Sequence, residues 1–428
     1  MTIYRRTLLR GVAGGSLGML AGPHLAQAAA AAARPAEPAR DIGYRAWSGR
    51  AGFAAGTSAG TAWRGQTLTV HTPIGRTTYS DPFTGVSRDY EYATWTSPWV
   101  RPGFAASQAV ASWNADTPSG TWLQTELRGI TATGATTKWY VMGRWAADDA
   151  AFSRTSVPGQ GDANGTVDID TFEAADGAGL VRWQLRGTLY RLAGTTRTPA
   201  LRSIGAMASL LPEPADYPTS TARFARGTVL PVPRYSQDVH VDQYPQWDNG
   251  GEAWCSPTST SMVVAYWGKG PRPADYGWVD PSYADPWVDY AARNTYDNNY
   301  SGCGNWPFNT AYAARFGLAA CVTRLRSFQE VERFIAEGVP VIVSAAFAKG
   351  QVPGADYSTN GHLMVIAGFT EHGDPVMNDP AAPDDAAVRK VFGRPEFETA
   401  WRNSSGGTAY LIHPPDKRLP APPAQANW

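Results

Sequence analysis

Three side chains in the second half of the sequence have the types and the order needed for nucleophilic chemistry at a carbonyl carbon. Cys255 lies in GEAWCSPTSTSMVVAYWG, where Pro257 marks a first helical turn and Val263, Tyr266 and Trp267 form a buried stripe. A thiol at a helix N-terminus feels the positive end of the macrodipole, which favours the thiolate, the nucleophilic form. His362 follows Asn360-Gly361 and opens an apolar run, which sets an imidazole at a sheet edge on a rigid strand. Asn378 and Asp379 end the next apolar run. A hairpin centred near His372-Gly373 folds Asp379 back toward His362, the geometry a base needs from its orienting carboxylate. Taken singly, each residue has a plainer reading: a packed thiol, a hydrogen-bonded edge histidine, a turn former before Pro380. Their joint order is what points to catalysis. These residues lack the paired local spacing of zinc ligands, so no metal is expected, and the chemistry calls for no cofactor.

The elements that must position this set follow from pattern. SFQEVERFIAEG (327–338) reads as a helix with a capping box from Ser327 to Glu330 and an apolar face of Val331, Phe334 and Ile335. VPVIVSAAF (339–347), HLMVIAGFT (362–370) and DPVMND (374–379) read as strands, so helices come first and strands after, an α+β arrangement. From about 60 to 210 the period is two. Val181, Trp183, Leu185 and Leu189 alternate with Arg182, Gln184 and Arg186, and Trp139, Val141 and Trp145 with Lys138, Tyr140 and Arg144. This half is expected to be an antiparallel β-sandwich. Within it, DANGTVDID (162–170) groups Asp162, Asn164, Asp168 and Asp170 but lacks a calcium loop's later glutamate, and reads as an Asn-Gly turn. Trp99, Trp113 and Trp122 could stack on sugars, or fill the core.

A helix-starting Cys in a Trp-Cys-x-Pro-Thr-Ser context, Gly-His opening a strand and Asp-Pro after the next strand resemble the C39 and C39-like bacterial cysteine peptidases. That family commonly reads Cys-Gly-Pro where this chain has Cys255-Ser256-Pro257. The resemblance covers about residues 229–413 and implies a papain-like domain of N-terminal helices and an antiparallel sheet. By it, Cys255 is the nucleophile, His362 the general base and Asp379 its orienter. A glutamine upstream completes the oxyanion hole; PVPRYSQ nominates Gln237, with Gln246 the alternative. The implied activity is hydrolysis of peptide bonds through an acyl-enzyme. The same triad would serve an amidase or acyltransferase on cell-wall peptides, and a non-catalytic wall-binding or adhesion protein would retain the fold without the chemistry.

Composition bounds the rest. The chain has 428 residues, and its 37 basic and 37 acidic side chains show no stripe suited to a phosphate backbone, so nucleic acid is not an expected partner. Residues 1–33, with Arg5-Arg6, a short apolar core and Ala26-Gln27-Ala28, resemble a twin-arginine export signal and imply a secreted protein with no membrane span in the mature chain. The expected order is then a flexible linker (34–59), the sandwich (60–210), a second linker (211–228), the peptidase domain (229–413) and a Pro-rich tail (414–428). The expected partner is a peptide or protein substrate, with cell-wall or carbohydrate contact through the sandwich. Of the three cysteines, Cys303 and Cys321 are the natural pair for a disulfide worth about 3 kcal/mol, leaving Cys255 free. The Asp/Tyr/Trp-rich stretch holding Tyr283, Trp287, Tyr296, Tyr300 and Trp306 either lines a cleft or packs its own loop.

Overall fold

The computed structural model describes residues 39–428; the expected export signal lies outside them. In the first half two antiparallel sheets bring their apolar faces together. One is ordered Gly165–Asp168, Thr171–Ala174, Gln108–Asp116, Ala200–Leu210, Thr67–Val70, Thr61–Arg64, and Asp41–Ser48 also pairs with Ala200–Leu210. The other is ordered Thr57–Ala59, Ser87–Thr96, Leu180–Leu192, Thr121–Thr131, Tyr140–Trp145, with Gly75–Ser80 on Ser87–Thr96. Trp113 and Ile204 from the first sheet share one core with Leu123, Leu127 and Leu185 from the second. The segment expected to be a flexible linker is therefore largely structured: residues 41–59 hold two strands and the short helix Gly49–Ala54.

The two-residue period slips at bulges. Pairing between Leu180–Leu192 and Thr121–Thr131 shifts between Leu180 and Arg182, so Leu180 turns inward and Val181 is 38% exposed, while Trp183, Leu185 and Leu189 keep their predicted face. A second shift, between Thr125 and Glu126, puts Tyr140 and Met142 in the core with Trp145 in place of Trp139 and Val141. Trp113 and Trp122 are 1% and 2% exposed and so cannot stack on a sugar.

The second half is α+β, as expected. Its sheet is antiparallel throughout, ordered Ala319–Arg324, Thr408–His413, Val341–Phe347, Thr359–Phe369, Pro375–Asn378, Arg389–Val391. The helix Cys255–Tyr266 is buried on all sides from Ser256 to Val264, not along one stripe, and Tyr266 and Trp267 are only half-buried. Its small hydroxyls fit this position, and some of them are matched inside, although Thr258 Oγ1 and Ser261 Oγ have no hydrogen-bond partner among the described residues. Ser259 Oγ donates to Leu363 O at 2.9 Å, and Ser256 Oγ and Tyr410 OH lie 3.0 Å apart. The helix Phe328–Ala336 buries Val331, Phe334 and Ile335, but the capping box does not form: Glu330 Oε2 accepts from Arg326 N at 2.7 Å, and the Ser327 side chain makes no cap bond.

The two halves are fused through a buried seam. Phe308 packs on Trp113 and Trp145, and the Asn114 amide pairs with both backbone groups of Ala320, at 2.7 and 3.0 Å. The expected second linker is pinned: Glu398 Oε2 accepts from Ser220 N, and the buried Glu332, paired with Arg394 at 2.7 Å, accepts from Arg223 N and Phe224 N. The Pro-rich tail is docked as well. Ala426 O accepts from Tyr44 N at 2.9 Å, Asn427 Nδ2 donates to Arg324 O at 2.8 Å, and Trp428 packs edge-on against Phe334.

The Cys303–Cys321 bridge is not formed; all three cysteines are free. Cys303 belongs to the small cluster around Trp254 and points its thiol at Ala292 O, whereas Cys321 lies on a sheet strand packed against the main core beside Tyr44. Different surroundings, each complete, keep the two thiols apart.

Candidate active site

Cys255 is the first residue of its helix, and the preceding turn is built for a close approach. Gly250 has φ of 82°, and a Cβ on Gly251 would lie 2.2 Å from Gln237 O. The Gly-Gly pair thus lets the loop carrying Gln237 press against the turn that presents the thiol. Trp254 anchors that turn through Nε1 to Trp247 O at 2.6 Å.

His362 sits on Thr359–Phe369, paired with Ala345, and the hairpin predicted around His372-Gly373 is present. Val365 pairs with Asn378 and a bulge follows between Ile366 and Gly368, which brings Asp379 beside His362. His362 Nε2 and Asp379 Oδ1 are 2.8 Å apart, and Cys255 lines the same cavity as the ring, near enough to favour its charged form. With Asp379 ionised, Nε2 carries a proton and donates to it, which leaves Nδ1 for the sulfur. Ser259, one turn into the Cys255 helix, bonds Leu363 O next to the histidine, so helix and strand are locked where their side chains meet.

Asp379 is fully buried and receives four donors: His362 Nε2, Tyr357 OH at 3.0 Å, Lys390 Nζ at 2.9 Å and Ala381 N at 3.0 Å. Burial works against its charge, but the His362 hydrogen bond and the His362 and Lys390 charges prevail and hold the carboxyl below its ordinary range. Burial likewise opposes charge on His362, yet the bond to Asp379 and the nearby Cys255 raise it to about 10. Tyr357 is kept protonated by burial and by Asp379. Asn378, next in sequence, is structural: its Nδ2 donates to Pro233 O at 2.7 Å.

The cavity at these groups, of about 540 Å³, is lined by Cys255, His362, Gln237, Asp248, Tyr300 and Trp306 among others. Gln237 is 5% exposed and its Nε2 donates to Glu252 O at 2.9 Å; Gln246 is exposed and does not line the cavity. Of the aromatic stretch, Tyr300 and Trp306 face the cavity, Trp287 borders a different one and Tyr283 packs on Tyr244. Burial raises Asp248 to about 6 despite the Cys303 N–H at 2.8 Å. Among the described residues no group of three His, Cys, Asp or Glu is placed to hold a metal. Sequence reasoning missed Tyr357 and Lys390. Both come from irregular or very short segments, where periodicity carries no signal.

A thiol opening a buried helix, an imidazole on the facing sheet and a carboxylate behind it form the arrangement of the papain-like cysteine peptidase class. Residues 229–409 match the family described as Peptidase_C39 like family, and residues 43–209 match the Peptidase C39 N-terminal domain. The two matched regions span most of the chain, which belongs to the C39-like peptidases. The second match also corrects the expectation that the likeness stops short of the first half. No curated protein shows significant similarity to the chain.

Proposed function

We propose that the protein is an exported cysteine peptidase that hydrolyses peptide bonds through Cys255, His362 and Asp379. The observation that carries this reading is the imidazole held between the Cys255 thiol and a buried, four-fold hydrogen-bonded carboxylate. His362 takes the thiol proton at Nδ1; the Cys255 thiolate attacks the carbonyl carbon, forming the C–S bond, and the oxyanion is met by the Cys255 N–H and the Gln237 amide. The imidazolium then gives its proton to the leaving amine as the C–N bond breaks. Water, deprotonated by His362, attacks the acyl-enzyme and releases the acid and the thiol. Gln237 fits the oxyanion role because it is buried in the same cavity beside the turn that bears Cys255. Export by the twin-arginine-like segment belongs to the same proposal.

The test is alkylation of Cys255 by iodoacetamide together with turnover of a mixed peptide pool. Reaction at about pH 6 faster than that of a free cysteine, lost in His362→Ala, is the expected result. Cys255→Ala is expected to fold and to release no peptide products. Normal turnover by either variant would overturn the assignment.

A further inference from the structure

The cavity at Cys255 does not end within the second half of the chain. A neighbouring cavity of about 410 Å³ shares Trp306, Ser404 and Ser405 with it, and its far wall belongs to the first half. That wall is the hairpin of Gly165–Asp168 and Thr171–Ala174, which presents Asp168 and Glu173. Hairpin and joint are fixed to one another: Asp170, buried between the two strands, accepts from Trp306 N at 2.7 Å.

Although the whole chain is electrically neutral, the charges reaching solvent along these two cavities are of one sign. Glu252 lines the first and Asp168 and Glu173 the second, all exposed; Asp248, which also lines the first, is part-buried and bonded to Cys303 N. The cations of the second cavity, Arg324 and Arg402, are buried and hydrogen-bonded to the protein; Arg324 lies within electrostatic reach of Glu173 and Asp170, which leaves Asp168 as the acidic group of the hairpin most open to solvent. Arg324 donates to Ser405 O and Ser209 Oγ, and Arg402 to Pro218 O. Gln237, nine-tenths buried, also lines the first cavity, and its Oε1 has no hydrogen-bond partner among the described residues, an acceptor left for an incoming N–H. One sign of charge between low-dielectric walls concentrates ligands of the opposite sign.

We infer that the two cavities form one extended groove for a peptide, in which the 165–174 hairpin is a distal subsite that selects a basic side chain remote from the bond attacked. This rests on the peptidase reading and adds to it a substrate class and a task for the first half of the chain. Trp306, buried at the boundary of the two cavities, fixes the joint between them.

Protection of Cys255 tests it without any turnover. The mature protein is alkylated with iodoacetamide and the Cys255 peptide quantified by mass spectrometry, in the presence of a Gly-Lys decapeptide, a Gly-Glu decapeptide or a Gly-Lys tetrapeptide. The decapeptide is long enough, at about 33 Å extended, to reach past the first cavity. The Gly-Lys decapeptide should slow alkylation and the Gly-Glu one should not. Asp168→Asn/Glu173→Gln should weaken its protection about fivefold, leaving that by the tetrapeptide and the unprotected rate unchanged. Asp168→Lys alone, at an exposed position, should act in the same direction, and salt should erase the effect. Equal protection in wild type and variants, equal protection by both decapeptides, or no protection by either overturns the inference. Failure of the peptidase reading would look different: an ordinary thiol rate insensitive to His362→Ala, whatever the peptides do.

Discussion

Asp379 sets the charge balance of the site, and it does so with a partner that does not touch the cavity. Lys390 Nζ bonds both Asp379 Oδ2 and Ala381 O, at 2.9 and 3.0 Å, on the side away from His362. Lys390→Met removes one charge-assisted hydrogen bond, and kcat is expected to fall about tenfold with KM unchanged. Because Lys390 helps to depress the carboxyl, the acid limb of the pH–rate profile should also move upward in this variant. A structural role alone would leave that limb in place. On the alkaline side, His362 keeps its proton until pH approaches about 10, so the rate should fall there as the leaving amine loses its acid. The stability signs are opposite for the two partners. His362, raised on folding, stabilises fully below about pH 6.5 and loses this as pH rises; Asp379, lowered, stabilises above about pH 3.9 and loses this as pH falls. Their joint contribution is therefore greatest between those limits, which denaturant titrations across pH would show.

Elements, more than single residues, decide whether the Cys255 thiol and the Gln237 amide, the proposed oxyanion donor, face the same point. Gly251 lets the Gln237 loop and the Cys255 turn touch, and a methyl group there would drive them apart. Gly251→Ala should lower kcat on the order of a hundredfold, the cost of losing one oxyanion donor, while Cys255 is alkylated at the wild-type rate. An equal loss of alkylation would mean that the whole turn had collapsed. The juxtaposition of Cys255, His362 and Asp379 was legible in the sequence because each residue ends or begins an element with a strong pattern: a Pro-marked helix start, a Gly-His strand start, an Asp-Pro strand end. A hairpin of known phase then fixes which side chains meet. The inside-out assignments failed at Val181 and Trp139, where one extra residue in one strand reverses the alternation; nothing in composition marks such bulges. Tyr357 and Lys390 were hidden for another reason, since long-range pairing alone brings them to Asp379.

At the level of the molecule, the two halves share a core, so the seam should not open independently. Calorimetry is expected to give one unfolding transition, not two, and Asn114→Ala, which strips both Ala320 backbone groups of their partners, should cost about 2–4 kcal/mol. Two resolved transitions would show the seam to be weaker than its buried contacts imply. The sequence shows the Pro-rich composition of the tail but not its docking, because its contacts are to residues more than 90 positions away. Those contacts join the first described strand to the last residues, with Gln425 Nε2 on Asp41 Oδ1 at 3.1 Å and Ala426 O on Tyr44 N. The described fold is thus a ring closed by hydrogen bonds. Its ends can be tied by a short linker and new ends opened at the exposed Glu371-His372 turn, giving a circular permutant that should keep the cleft intact.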